Sequence, residues 1–263
     1  MKILSKSRFI KKARSIFFTL FNRLENNNNA EFSTNGEEKF LEDYFSSLTG
    51  TVTLFDVGGN IGGYSEILVK QCVKRNLDYS IHVFEPTQSC FSILKIKFSS
   101  NDHVHLNNVG VSDSTTTSEI FYDAEKSGFA SLYQRDLSSV NVQMNKHETI
   151  SLIRLEDYLS HKNIDVIDFL KIDIEGHELA AFRGMGKFLS ADRIKAIQFE
   201  YGGANLDSGT TLRELYHTLE SAGFILAKIM KSGVEIRPYS LRMENYQYAN
   251  YVALSKKFFP SVQ

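Results

Sequence analysis

One ten-residue stretch, Asp56-Val57-Gly58-Gly59-Asn60-Ile61-Gly62-Gly63-Tyr64-Ser65, constrains this chain more than any other. It follows an apolar run with β-branched residues at 51–57 and precedes a helical pattern at Ile67, Leu68, Cys72 and Val73. That order reads as strand, glycine turn and helix. Glycines let a backbone turn tightly and approach a ligand without a Cβ in the way, and the helix N-terminus beyond offers N–H groups to an anion. A glycine turn by itself is weakly informative. Glu85 strengthens it, because it ends the next strand, 23 residues past Gly62. There a carboxylate can accept bonds from both hydroxyls of a ribose.

The alternation continues along the chain. Residues 79–84, 103–111, 166–172 and 194–199 read as strands, and 88–98, 155–159 and 178–189 as helices. This pattern predicts an α/β fold with a mostly parallel, Rossmann-like sheet and helices on both faces. After a helix over 212–222, residues 224–230, 234–236 and 248–254 read as strands that close the sheet antiparallel. Residues 113–150 are polar, with a candidate strand at 119–122 and otherwise loop. Long irregular segments of this kind often carry recognition, for which Ser131, Tyr133, Arg135 and Lys146 are the candidates, and a mobile, solvated loop accounts for the segment equally well.

At 263 residues and 42% hydrophobic, the chain suits one large core. Residues 1–35 read as a basic N-terminal extension and polar linker, and residues 36–263 as the domain. Thr34 or Asn35 would cap its first helix, at 37–48. Residues 1–24 hold seven bases, Lys2, Lys6, Arg8, Lys11, Lys12, Arg14 and Arg23, and no acid, whereas the rest of the chain carries 23 bases against 31 acids. Apolar residues at roughly helical spacing, Ile3, Leu4, Phe9, Ile10, Phe17, Leu20, Phe21 and Leu24, stand among these bases. The segment reads equally as a solvated extension or as a peripheral contact with an anionic membrane. The overall charge of −1 gives no general pull toward nucleic acid. Cys72 and Cys90 form neither a disulfide framework nor a zinc motif, and no secretory or spanning segment is evident, so a cytoplasmic location is expected.

Two cofactor classes use a strand–glycine turn–helix. The dinucleotide fingerprint G-x-G-x-x-G would place its second glycine at Asn60, where a side chain hinders a pyrophosphate. An adenosyl cofactor with an amino-acid tail brings no phosphate to that turn. The ordered series DVGGNIGGYS, VFEPTQSCFSIL, NNVGVSDS, LEDYL, FLKIDIEGHELAAFRGM and IQFEYG resembles the FkbM family of S-adenosylmethionine-dependent methyltransferases, over roughly residues 50–255. Gly59 and Gly110 stand where that family usually has Ala. The resemblance implies a class I methyltransferase fold, S-adenosyl-L-methionine as cofactor, and O-methylation of a hydroxyl on a saccharide, glycan or similar natural-product acceptor. A non-catalytic adenosyl-binding protein or an N-methyltransferase would share the same cofactor motifs. Carried over by position, Asp56, Gly58, Gly59, Asn60 and Gly62 would surround the methionine part, Glu85 the ribose, and Asn108 the adenine.

A second cluster, Lys171-Ile172-Asp173-Ile174-Glu175-Gly176-His177-Glu178, ends the strand expected beside the first. Ligands of open α/β sheets bind beyond the carboxyl ends of the strands, which aims Asp173 at the crevice. Methyl transfer to a hydroxyl needs a base for the departing proton. His177 is the first candidate because its ordinary pKa lies nearest neutrality. Asp173 is the second, and Glu175 or Glu200 could orient either or take its place. Lys171 reads as the ion-pair partner of Asp173. No spacing calls for a metal.

Overall fold

The structure, a computed structural model, describes residues 8–259, so Lys2, Ile3, Leu4 and Lys6 of the basic segment lie outside the described residues. The chain opens with α1 (Arg8–Leu24) and α2 (Glu37–Ser46), then alternates β1 (Thr51–Val57), α3 (Gly63–Lys74), β2 (Asp78–Phe84), α4 (Gln88–Lys97) and β3 (Val104–Asn107). Next come β4 (Gly110–Val111), β5 (Thr116–Tyr122), β6 (Lys146–Ile153), α5 (Leu155–Lys162), β7 (Ile167–Ile172) and α6 (Glu178–Gly184). The remainder is β8 (Ile194–Tyr201), α7 (Gly203–Ser208), α8 (Leu212–Ser221), β9 (Phe224–Met230), β10 (Gly233–Ile236) and β11 (Ala249–Ser255).

Eight strands form one sheet in the order β10-β9-β11-β8-β7-β1-β2-β3. The five strands from β8 to β3 pair in parallel, and β11, β9 and β10 close the sheet antiparallel. Alternation along each strand feeds two cores, one on each face. Phe55 and Leu170 pack with Phe182 and Phe199 on one face, while Leu54 and Phe169 pack with Leu41, Phe45 and Leu68 on the other. β7 is buried at all six positions, as a central parallel strand covered on both faces must be. From β1 the chain winds outward to β2 and β3, then returns to β7 on the opposite flank. The order therefore switches at the β1–β7 pair, and a crevice opens beyond Val57 and Ile172, which are in register.

Four expectations are corrected in detail. The run 103–111 is two strands, because Asn108 folds back and its Nδ2 donates to the carbonyls of Glu85 and Pro86, each at 2.9 Å, turning β4 away from the main sheet. Residues 113–150 hold more strand than the expected 119–122: β5 and β6 pair antiparallel and, with β4, form a second sheet of three strands, while the connection between β5 and β6 is mostly loop. The helix from 178 stops at Gly184, whose backbone lies against that of Ser112, and a short 3-10 turn follows at Gly186–Phe188.

The fourth correction concerns the polar stretch before α2, which is not a solvated linker. Asn26, Asn27 and Asn35 are buried, and Asn26 Nδ2 donates to the Ile229 carbonyl at 3.1 Å. Gly36 takes the cap position of α2 in a left-handed conformation, and Asn35 supports it by accepting the Glu37 N–H at 2.9 Å.

Candidate active site

The glycine turn is shaped first by packing. Gly58 adopts φ +93°, a conformation L side chains rarely take, and a Cβ there would collide with the Asp173 carbonyl arriving from β7. The register of β1 and β7 brings that carbonyl in, with Asp173 N–H donating to the Val57 carbonyl at 2.9 Å. Asn60 also has positive φ, 45°, which Asn tolerates better than most residues. Its backbone N–H donates to Glu85 Oε2 at 2.9 Å. The other Glu85 oxygen accepts the Thr87 N–H at 2.8 Å and the Thr87 hydroxyl at 2.5 Å. Glu85 thus couples the turns after β1 and β2, and burial pushes its carboxyl above the usual range.

A cavity of about 160 Å³ lies over these turns. Phe84, Val111, Ile120, Ile150 and Leu152 make an apolar wall, while Gly58, Asn60, Glu85, Asp173, Glu175 and His177 line the polar side. The small sheet supplies most of that apolar wall. A loop from the β5–β6 connection closes over it: Asn60 Nδ2 donates to the Ser127 carbonyl at 3.1 Å and Ser131 Oγ to the Glu175 carbonyl at 2.8 Å.

A wider cavity, about 570 Å³, adjoins the first. Tyr64, Phe32, Phe129 and Tyr248 give it aromatic walls, and Lys171, Glu200 and Arg135 give it charge. Asp173 and Glu175 line both cavities, so they stand where a group would pass from one to the other.

Around this junction the charges are paired. Lys171, 3% exposed, holds its Nζ 3.1 Å from Glu200 Oε1 and 3.5 Å from Asp173 Oδ2. Burial opposes its charge, but the two carboxylates more than offset that and keep it protonated. Glu200 also accepts the Tyr248 hydroxyl at 2.8 Å; burial, then the neighbouring Asp173, pushes its carboxyl up to about 8. Glu175, in a left-handed conformation, is raised by burial and by Asp173, and Arg135 holds it in an ion pair while also bonding Asp207 at 3.2 Å. Asp173 keeps a side chain 34% exposed at the junction.

The structure brings Gly58, Asn60, Glu85, Asp173, Glu175 and His177 into the first cavity and places Glu200 in the second. Asp56, Gly59, Gly62 and Asn108 support it from outside the lining. Asp56 is buried and bonded by the Ser65 hydroxyl, with burial raising its carboxyl to about 6. Gly59 and Gly62 leave room for Val83 and Leu94. His177 has both ring nitrogens engaged, Nε2 with Ser112 Oγ and Nδ1 with Tyr133 OH, each at 2.9 Å. Burial lowers its pKa, so it is a neutral tie between the loop and the small sheet. Of the loop residues singled out from sequence, Ser131, Tyr133 and Arg135 bond site residues, while Lys146 begins β6 on the exposed surface. Tyr64 and Tyr248 were missed. Tyr64 directly follows the glycine turn, which is a usable signal, whereas Tyr248 is 48 residues from Glu200 and only the antiparallel closure brings them together.

The sequence profile described as "Methyltransferase FkbM domain" matches residues 56–226, which spans both the glycine turn and the Asp173 cluster. The chain belongs to the FkbM methyltransferase family. S-adenosylmethionine is accordingly its cofactor, and the residues fit that group. The apolar wall suits an adenine, the Glu85 rim a ribose, and the carboxylates of Asp173 and Glu175 the cationic sulfonium and ammonium.

Solved structures resemble it at low identity. A methyltransferase FkbM from Methylobacillus flagellatus has 14% identity and a TM-score of 0.48, covering 92% of this chain and 59% of that one. The CMeT domain of the citrinin polyketide synthase has 11% identity and a TM-score of 0.50, covering 93% and 57%, and shares the fold. The chain thus spans less than two thirds of the length of either structure. None of the curated proteins compared with the chain matches it.

Proposed function

We propose that this FkbM chain transfers a methyl group from S-adenosylmethionine to a hydroxyl oxygen of a saccharide, glycan or similar acceptor. The observation that carries the reading is the wall of Asp173 and Glu175 shared by two cavities, one fitted to the cofactor and the other wide enough for a sugar ring between Tyr64 and Tyr248. Aromatic faces interleaved with carboxylates suit a polyhydroxylated ligand, which presents both C–H faces and hydroxyl donors.

When bound, S-adenosylmethionine supplies an electrophilic methyl group. Gly58 and Asn60 would hold it at the turn, and Glu85 would accept from its ribose. Asp56, Gly59 and Gly62 set the shape of that turn, and Asn108 fixes the Glu85–Pro86 backbone. Asp173 is the base in this reading, since it reaches both cavities and is ion-paired to one side only, whereas His177 is held by two hydroxyls. The Asp173 carboxylate would take the acceptor proton as the acceptor oxygen bonds to the methyl carbon, with the sulfur–methyl bond broken and neutral S-adenosylhomocysteine as the leaving group. Lys171 fixes Asp173 and Glu200 at the mouth of the acceptor cavity, and holding acceptor and donor aligned supplies much of the rate.

The same reading takes residues 36–263 as the catalytic domain and residues 1–35 as a basic extension, of which 25–35 are fastened to the domain. It places the protein in the cytoplasm, peripheral to an anionic membrane face through α1. The free, buried Cys72 and Cys90 suit a reducing compartment. The test offers tritiated S-adenosylmethionine with panels of glycan hydroxyl acceptors and of amines, to the protein and to Asp173→Asn. Label on hydroxyl oxygen, lost in the variant while S-adenosylhomocysteine still binds, supports the reading. Label on amines, or an active variant, overturns it.

A further inference from the structure

Resting on that reading, we propose that the acceptor is membrane-borne: a hydroxylated head group on a lipid anchor, brought to the second cavity by α1 lying on an anionic bilayer. At about 100° per residue, Ile10, Ala13, Ile16, Phe17, Leu20, Phe21 and Leu24 fall within an arc of about 140° on α1. Lys12 and Arg23 border one edge of that arc and Arg14 the other, with Lys11 and Phe18 on the far side. The fold does not cover the stripe: Phe17 is 70% exposed, Leu24 68% and Ile16 56%. No acid occurs in α1. A second copy packed on this face would set bases against bases, whereas an anionic lipid surface complements both the stripe and its basic edges.

What links this helix to acceptor delivery is the way its C-terminal end is fastened. Glu25 pairs with Arg237 and, at 3.6 Å, with Lys228, whose Nζ also donates to Asn27 Oδ1 at 2.6 Å. Asn28 N–H donates to the Tyr248 carbonyl at 2.8 Å, and Tyr248 N–H returns a bond to Asn28 Oδ1 at 3.2 Å. Ala30 and Phe32 then form part of the wall of the second cavity together with Tyr248. No residue of 8–35 lines the first cavity. The six steps from Leu24 to Ala30 span at most about 20 Å even fully extended. A bilayer held by α1 therefore lies beside the acceptor cavity, and its tether is hydrogen-bonded into the fold.

The experiment gives the full chain tritiated S-adenosylmethionine together with membranes, and separately with the soluble metabolite fraction, of the producing organism. It is repeated with the triple variant Lys12→Glu/Arg14→Glu/Arg23→Glu. Binding to phosphatidylcholine vesicles with and without phosphatidylglycerol is measured alongside, with S-adenosylhomocysteine affinity as the control for folding. Expected are label in solvent-extractable lipid, wild-type binding only to the anionic vesicles, and a loss of about 100-fold in the variant's vesicle affinity with lipid labelling falling in step. Label confined to water-soluble product overturns the membrane-borne acceptor and leaves hydroxyl methylation standing. Label in neither fraction overturns the methyl-transfer reading itself. Wild-type lipid labelling by the variant overturns the role of α1.

Discussion

Glu85→Gln replaces one carboxylate oxygen by an amide NH2 at the point where the cofactor cavity is held together. The Glu85 carboxylate is buried, receives Asn60 N–H on one oxygen at 2.9 Å, and receives Thr87 N–H on the other at 2.8 Å. An amide of the same shape accepts on its oxygen only and donates from its nitrogen. With its oxygen toward Thr87, which also brings a hydroxyl, the amide nitrogen faces the Asn60 N–H and leaves that buried donor unsatisfied. An orphaned buried donor costs about 1–3 kcal/mol, and that much should disappear from the unfolding free energy in urea. The ribose loses a charged acceptor at the same time. A hydrogen bond to a charged group contributes about 1.5–3 kcal/mol, so the Kd for S-adenosylhomocysteine should rise roughly 10- to 150-fold in a calorimetric titration. An unchanged urea midpoint would refute the two-turn coupling. Lower stability with unchanged Kd would leave Glu85 a turn residue and remove it from the ribose.

Lys171→Met leaves Asp173 and Glu200 facing each other without their cation, and breaking a buried pair this way should lower stability by about 3–5 kcal/mol. Adding Glu200→Gln should recover part of the loss; equal urea midpoints for wild type and single variant would contradict the pairing. The Glu200 carboxyl, ordinarily near 4.5 and about 8 in the fold, gives the folded state an extra proton between those values. Its contribution to stability is therefore full below about 4.5 and lost as pH rises to about 8. Thermal unfolding across that window should show a steeper decline in wild type than in Glu200→Gln, and parallel curves would sink the assignment. Gly58→Ala, forced into a left-handed conformation against the Asp173 carbonyl, should lose at least about 1–2 kcal/mol of stability, and S-adenosylhomocysteine binding should fall with it. His177→Ala should release the loop, speeding dissociation of S-adenosylhomocysteine in stopped flow, while the acid limb of the kcat/KM profile persists; disappearance of that limb would restore His177 as the base.

The parallel sheet was legible because its code is local. Buried runs such as 167–172, glycine turns and helical spacing each declare themselves within a dozen residues, and their alternation determines the winding. The cofactor cavity inherits that legibility, since Gly58, Glu85 and Asp173 sit at strand ends. The small sheet escaped because β4 is only two residues long and β5 shows few apolar side chains, although Ile150 and Leu152 alternate with Thr149 and Ser151 in a period of two. His177 stood out for its ordinary pKa, yet that value matters little once Ser112 and Tyr133, 65 and 44 residues away, close on both nitrogens. The asparagines before α2 looked solvated by composition. Asn26 and Asn27 are buried because each amide finds a backbone or lysine partner in β9, a satisfaction invisible without the antiparallel closure.

The β5–β6 hairpin has a further consequence for how such a chain can change over generations. Tyr122 pairs with Lys146, so the segment between them leaves and re-enters the fold at one place. Closing a loop whose ends are already joined costs little more as it grows, about 0.6 kcal/mol for each doubling of length. The strands, the glycine turn and the Asp173 cluster need not move when residues are inserted or exchanged there. Because this segment contributes Phe129 and Arg135 to the acceptor cavity, new substrates can be sampled by editing around those two positions, while Ser127 and Ser131 keep their bonds over the methyl donor's seat.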